Sequence, residues 1–219
     1  HNFFKKATER ACNYWLPMVN DLKGIIIGGP GATKDFVVKN DYFHHEIKKL
    51  IAEPFFDVGY SNESGLRELV QRAGSTMDQI ELDVERTIVD RFLQEVMQAN
   101  PKATYGEVMI RSALDQGAVE TLLISEAVTK RRVKWICKEC KNTWKTSHDK
   151  SSAPPNCPQC GSDKAFEDEE DSMELIDELT VLAGHTSARV RIISLDTEEG
   201  ATLNTAFGGI AALLRYAIS

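Results

Sequence analysis

Apolar residues recur at helical spacing from the start of the chain. Phe4, Ala7, Ala11, Trp15 and Met18 share one face, Lys5, Lys6, Glu9 and Arg10 take others, and Pro17 with Asn20-Asp21 marks a stop. The short apolar run Lys23–Gly28, bounded by glycines, predicts a buried strand, and Gly28-Gly29-Pro30-Gly31 a turn. Thr33 is the expected cap of a helix from Lys34, and Asn40 or Asp41 the cap of another running to Ile51, closed by Pro54. Phe55–Tyr60 predicts a strand; Ser61 or Asn62 then caps a helix to Ala73 with Leu66, Leu69 and Val70 on one face. From Met77 to Ala99 a single long pattern repeats every four residues through Ile80, Val84, Ile88, Phe92 and Val96, ending at Asn100-Pro101.

The second half opens with Thr104 as the expected cap of a helix to Gln116, and Ala118–Ser125 follows as a buried strand. Beyond residue 172 come an amphipathic helix from Met173 to Ala183, a half-buried strand over Arg189–Leu195 and a last strand over Ala212–Ile218. Strands alternating with helices predict an α/β layer structure. The expected fold is two α/β sandwich domains joined by the long helix, residues 1–95 and 96–219, with a small insertion over residues 133–166 of the second.

Four cysteines define that insertion. Cys137-Lys-Glu-Cys140 and Cys157-Pro-Gln-Cys160, sixteen residues apart, form the pattern of a zinc ribbon. Each pair sits on a tight turn aiming two sulfurs at one point, and two such knuckles complete a tetrahedral shell with no open position for water or substrate. A structural zinc is the expectation; an empty knuckle pair or two disulfides are the alternatives. The segment has too few large aliphatics for a core of its own, and a structural zinc, worth on the order of 10–16 kcal/mol of apparent binding energy, would replace it.

At 219 residues, 42% hydrophobic and 27% charged, the chain has the composition of a globular protein. No apolar run approaches the ~20 residues that span a membrane, no signal peptide is visible, and the cysteine usage suits a reducing cytosol. The net charge of −7 is unevenly spread: residues 130–150 hold eight Lys/Arg against two acids, and residues 167–178 hold eight acids and no base. The basic stretch interleaves Trp135 and Trp144, so Arg131, Arg132, Lys134, Lys141 and Lys145 are candidate RNA contacts. Packed tryptophans and solvated lysines are the other reading, and the acidic run is expected to be a solvated linker. The glycine turn lacks the order Gly-x-x-x-x-Gly-Lys-Ser/Thr and loses an N–H at Pro30, so a plain turn is expected there and not a nucleotide site. His44, His45, His148 and His185 form no metal or triad pattern, Cys12 reads as a small buried hydrophobe, and no catalytic constellation is present.

Several segments together resemble a known family. His1–Lys6 entering a helix, Ile26–Lys34 and Tyr42–Glu46 resemble the middle domain of archaeal/eukaryotic-type class-I peptide chain release factors. Ala113–Glu120 and Phe207–Tyr216 resemble the C-terminal domain of that family, and the four-cysteine ribbon its archaeal branch. The resemblance implies a translation termination factor whose full-length form reads stop codons and triggers peptidyl-tRNA hydrolysis on the ribosome. It implies partners too: ribosomal RNA, an elongation-factor-like translational GTPase and a ribosome-recycling ATPase, with the factor a cytoplasmic monomer. Leu214, Arg215 and Tyr216 fall in the segment the family uses toward the GTPase. Neither the family's codon-reading domain nor its Gly-Gly-Gln loop is present, so the expectation is a non-enzymatic fragment acting as a binding platform. A Pelota-type ribosome-rescue factor shares the Gly-Gly-Ile to Leu-Arg-Tyr ending and is the close rival; a free-standing zinc-ribbon RNA-binding module is the distant one.

Overall fold

The computed structural model describes residues 2–218, which divide into two compact units, His1–Val84 and Glu85–Ser219. In the first, α1 (Asn2–Trp15) runs into a 3-10 turn at Leu16–Met18. Two parallel strands follow, β1 (Ile25–Gly29) and β2 (Ile51–Asp57), separated in the chain by α2 (Thr33–Lys39) and α3 (His45–Lys49). α4 (Glu63–Arg72) and the start of α5 (Gly74–Val96) complete the unit. Cys12, Ile25 and Ile47 form its buried centre, with Trp15, Leu22, Phe43 and Leu50 packed around them. Cys12 is the buried hydrophobe its surroundings call for; its sulfur accepts a 3.3 Å hydrogen bond from His44 N.

Several expected boundaries move, each for a local reason. Asn40 does not open a helix but closes one, its side-chain amide donating to Phe36 O at 2.7 Å. The cap of α3 is His44, whose Nδ1 accepts from Glu46 N at 3.3 Å. Asp41, with φ of 41°, instead pairs through its carboxylate with Lys48. Thr33 is the first residue of α2, and its expected capping bond is not made. Pro54 lies inside β2 rather than ending a helix, tolerated because β2 pairs with β1 alone and the ladder shifts register between Ile26 and Gly28. Asn62 does cap α4, its Oδ1 accepting from Gly65 N at 3.2 Å.

The second unit is built on a four-stranded sheet of order β3-β9-β4-β8, from β3 (Ala103–Tyr105), β4 (Val119–Ser125), β8 (Arg189–Ile193) and β9 (Ile210–Leu214). β4 pairs parallel with β8 and antiparallel with β9, and β3 pairs antiparallel with β9. Thr104, expected as a helix cap, sits in β3 opposite Ala212, and Gly106 caps α6 (Glu107–Asp115). The last strand ends at Leu214, leaving Arg215 and Tyr216 beyond it. α8 (Glu198–Phe207), which the apolar pattern did not announce, is capped by Thr197 Oγ1 and ended by Gly208 at φ 71°, a left-handed conformation glycine adopts without steric cost.

Side chains alternate across this sheet. Leu122, Ile124, Ile210, Ala212 and Leu214 face α6 and α7 (Leu175–His185), whose Ile110, Leu114, Leu175 and Leu179 complete that core. Leu123, Ala211 and Leu213 face Val89 and Phe92 of α5 and Leu203 of α8. The result is three layers, helix on sheet on helix, and both faces of β4 and β9 are buried, hence their unbroken apolar runs.

Between β4 and β8 the chain forms a separate antiparallel sheet of order β6-β5-β7, from β5 (Arg131–Cys137), β6 (Thr143–His148) and β7 (Ala165–Glu174). The acidic run expected as a linker is therefore a strand. Its carboxylates lie beside the cations of β5, and that pairing is why so polar a segment takes extended structure.

Candidate metal centre

The two cysteine pairs occupy matching turns. Cys137 N donates to Asn142 O at 3.0 Å and Lys141 N to Cys137 O at 3.1 Å; Cys157 N donates to Ser162 O at 2.8 Å and Gly161 N to Cys157 O at 2.9 Å. Lys141 (φ 61°) and Gly161 (φ 74°) hold the same left-handed position, one residue after the second cysteine of each pair. The turns bring all four sulfurs within 4.8 Å of one another. Between knuckles, Cys137 lies 3.6 Å from Cys160 and Cys140 3.6 Å from Cys157, far beyond a disulfide bond. Zinc–sulfur bonds of about 2.3 Å in a tetrahedron put sulfurs about 3.8 Å apart, so the cluster fits a tetrahedral ion.

The chemistry of the thiols fits as well. Burial opposes ionisation of Cys157, but the amides of Cys160 and Gln159 and the neighbouring thiols pull it down to about 6. The amides of Cys140 and Glu139 likewise lower Cys137. At Cys140 the Asn142 amide favours the thiolate, yet burial and the three other thiols push it up to about 12. Four thiols so close cannot all ionise on their own; a divalent cation at their centre would remove that conflict. No histidine belongs to the cluster. His148 hydrogen-bonds Ser152 O at 3.1 Å and packs edge-on against Trp135, while His45 meets Glu46.

The candidate RNA contacts divide into two groups. Arg131 meets Glu167 at 2.7 Å, and Lys134 meets Asp168 at 3.0 Å and also Asp171. Arg132 lies 3.6 Å from Glu107 and 3.7 Å from Glu178, its Nε buried with no hydrogen-bond partner. Lys141 and Lys145 are exposed and enter no ion pair among the described residues. Trp135 is buried and donates to Thr146 Oγ1 at 3.0 Å, so it serves the sheet and cannot stack on a base.

The network around Arg132 escaped sequence reasoning. Glu107 and Arg111 of α6, Glu178 of α7, Arg132 of β5 and Ser147 of β6 converge where the small sheet meets the helices: Arg111 Nε donates to Glu107 at 2.8 Å and Ser147 Oγ to the same carboxylate. Burial works against ionisation of Glu107, but the Ser147 and Arg111 hydrogen bonds and the nearby guanidiniums hold its carboxyl below the usual range. Residues up to 71 positions apart meet here, which no local pattern announces.

Lys34 folds back, Nζ bonding Gly31 O at 2.7 Å and Asp57 Oδ1 at 2.5 Å, with its side chain only 7% exposed.

The model of eRF1 domain 2 matches residues 1–79, and that of eRF1 domain 3 matches residues 82–218. The chain belongs to the eRF1 family. Peptide chain release factor subunit 1 of Thermococcus onnurineus is 42% identical over 227 residues, covering 100% of this chain and 54% of that protein. The chain thus spans about half the length of the curated relatives it matches. The C-terminal domain of a peptide chain release factor from Methanosarcina mazei superposes with a TM-score of 0.59 at 38% identity, covering 72% of this chain and 98% of that one. A model of ribosome-bound archaeal Pelota with ABCE1 superposes at 0.61 with 20% identity, covering 100% of this chain and 50% of that one, a likeness of fold alone.

In this member of the eRF1 family the C-terminal motif serves mainly the fold. Leu214 is 2% exposed in the core. The Arg215 guanidinium donates to Gly117 O at 2.7 Å, Thr186 O at 2.9 Å and Ser187 O at 3.2 Å, gathering carbonyls just past the ends of α6 and α7. Tyr216 donates to Gln116 O at 2.9 Å, and the residue is 47% exposed. Of the three, Leu214 has no surface to offer a partner, whereas the faces of Arg215 and Tyr216 remain open.

Proposed function

We propose that this chain is the platform part of a translation termination factor, binding the ribosome and an elongation-factor-like GTPase, with a ribosome-recycling ATPase as a later partner. The observation that carries the reading is that two family models, for eRF1 domains 2 and 3, tile the chain in order. In the full-length factor, stop-codon recognition and the triggering of peptidyl-tRNA hydrolysis would belong to the whole assembly, and this part would be non-enzymatic and work at cytoplasmic ribosomes. Residues 1–84 would correspond to the middle domain and residues 85–219 to the C-terminal domain. Both models being eRF1 models favours this over the Pelota reading, whose structural likeness comes with 20% identity.

Within it, Cys137, Cys140, Cys157 and Cys160 would hold one structural zinc, making residues 133–166 a zinc ribbon inserted in the second domain. The sulfur spacing supports this. Bound zinc would tie the two knuckles together, and its closed four-sulfur shell leaves no position for substrate. Arg215 and Tyr216 would present the surface toward the GTPase. The test is a pull-down of the elongation-factor-type GTPase by the zinc-loaded chain at low salt, beside elemental analysis. Binding and about one zinc per chain are expected; a chain that carries zinc and captures no GTPase refutes the platform role.

A further inference from the structure

The three-stranded sheet has two unlike faces. One carries Val133, Trp135 and Cys137 and is buried. On the other, β5 contributes Ile136, paired with Thr143 of β6 and Phe166 of β7. Phe166 is 41% exposed, with Lys138 Nζ 5.8 Å from its ring centroid. That distance lies near the limit of a cation–π contact, so the ammonium is held loosely. Lys145, on the same face by register, is exposed; it lies near enough to Asp171 to help lower that carboxyl, but makes no ion pair with it. Lys141 follows Cys140 at the adjoining knuckle.

The distribution of ion pairs singles out this end of the sheet. Toward the helices, Arg131, Arg132 and Lys134 are neutralised by Glu107, Glu167, Asp168, Asp171 and Glu178. Toward the knuckles, Lys164 is matched by Glu139, while Lys138 and Lys141 enter no ion pair among the described residues; Lys145, opposite Lys134 in the ladder, likewise enters none. An exposed aromatic ring beside the Lys138 ammonium, with Lys141 and Lys145 exposed and outside any ion pair among the described residues, has the chemistry of a single-stranded nucleic-acid platform: the ring takes a base and the lysines take phosphates along the strand.

We propose that Phe166, with Lys138, Lys141 and Lys145, forms a binding site for a single-stranded RNA segment. This rests on the reading of the chain as a ribosome-binding platform and moves the RNA contact off the paired arginines onto the outer sheet face. An acidic peptide could satisfy the lysines, but it would have no use for the ring.

The test titrates the zinc-loaded chain into a fluorescein-labelled, mixed-sequence RNA of twelve nucleotides at several salt concentrations, with polyglutamate as competitor. Phe166→Ala is expected to weaken binding about 5- to 150-fold, the range for loss of one stacked base, and Phe166→Trp to retain it. Changing Lys138 and Lys145 together to Gln should flatten the log–log salt slope by about 1.4, at about 0.7 per phosphate on a single strand. The proposal is overturned if the RNA does not bind at low salt, if Phe166→Ala binds as tightly as the parent, or if polyglutamate competes as well as unlabelled RNA. Zinc content and GTPase capture of the same Phe166→Ala protein separate the two ideas. If both stay intact while RNA binding fails, only this site falls; if GTPase capture by the parent chain fails, the platform reading falls with it.

Discussion

β9 is buried along its whole length between helical layers, and β4 too apart from Glu120, whereas β5, β6 and β7 lie side by side with little apolar cover, edged by ion pairs and ended by four cysteines. The first sheet draws its stability from area removed from water, at about 25 cal/mol per Å². The second has Val133 and Trp135 as its large buried hydrophobic side chains and depends on cross-links of another kind. One chain thus stabilises two sheets by different physics, and they should fail under different insults.

The sharpest way to break the comparison is to remove the zinc proposed for the sulfur cluster. Chelation, or Cys137→Ser, is expected to abolish the order of residues 133–166 while β4 and β9 keep their amide protection in hydrogen exchange. Loss of protection in both sheets together would show that they are one cooperative body. The converse comes next in size. Leu122→Ala leaves a void among Ile110, Leu179 and Ala212 and should cost about 2–5 kcal/mol, read as a lower denaturant midpoint with zinc stoichiometry unchanged.

Glu107→Gln probes the joint between the sheets. It leaves the Arg111 and Arg132 guanidiniums, each with 21% of its side chain exposed, short of a carboxylate, so about 1–3 kcal/mol is expected. The carboxyl of Glu107 is lowered in the fold, so its contribution is complete above the unfolded value near 4.3 and is lost as pH falls through the folded one. Parent and variant should therefore differ at pH 7 and converge on acidification from about pH 5 to 3; a constant difference would argue against an ionised Glu107. Smallest is Arg91→Ala, which removes the fork on Glu120 with bonds of 2.9 and 3.2 Å. With Arg91 half-exposed and Arg189 still paired to Glu120, the loss should stay below about 1 kcal/mol and shrink with added salt.

The two sheets also differed in how far they could be read in advance. β4 and the knuckles were legible because their signals are local: an unbroken apolar run and a cysteine spacing. β7 was not, because Glu167 to Asp171 read as solvated acids until their partners on β5 are known. The same blindness covered Thr104, whose side chain suits a cap as well as a strand and was settled by Ala212 across the ladder. It covered His44 too, a capping residue outside the usual set.

From its order of residues alone the chain fixes its membership of the eRF1 family, its mixed α/β character and the four sulfur donors, since each is carried by contiguous motifs or short periodicities. Only the tertiary structure decided which charges remain available. Opposite charges far apart along the chain cancel when strands pair, so Arg131, Arg132 and Lys134 are spent on carboxylates while Lys138, Lys141 and Lys145 enter no ion pair among the described residues. Net charge is additive along a sequence, but the field a partner meets depends on distances that folding alone sets.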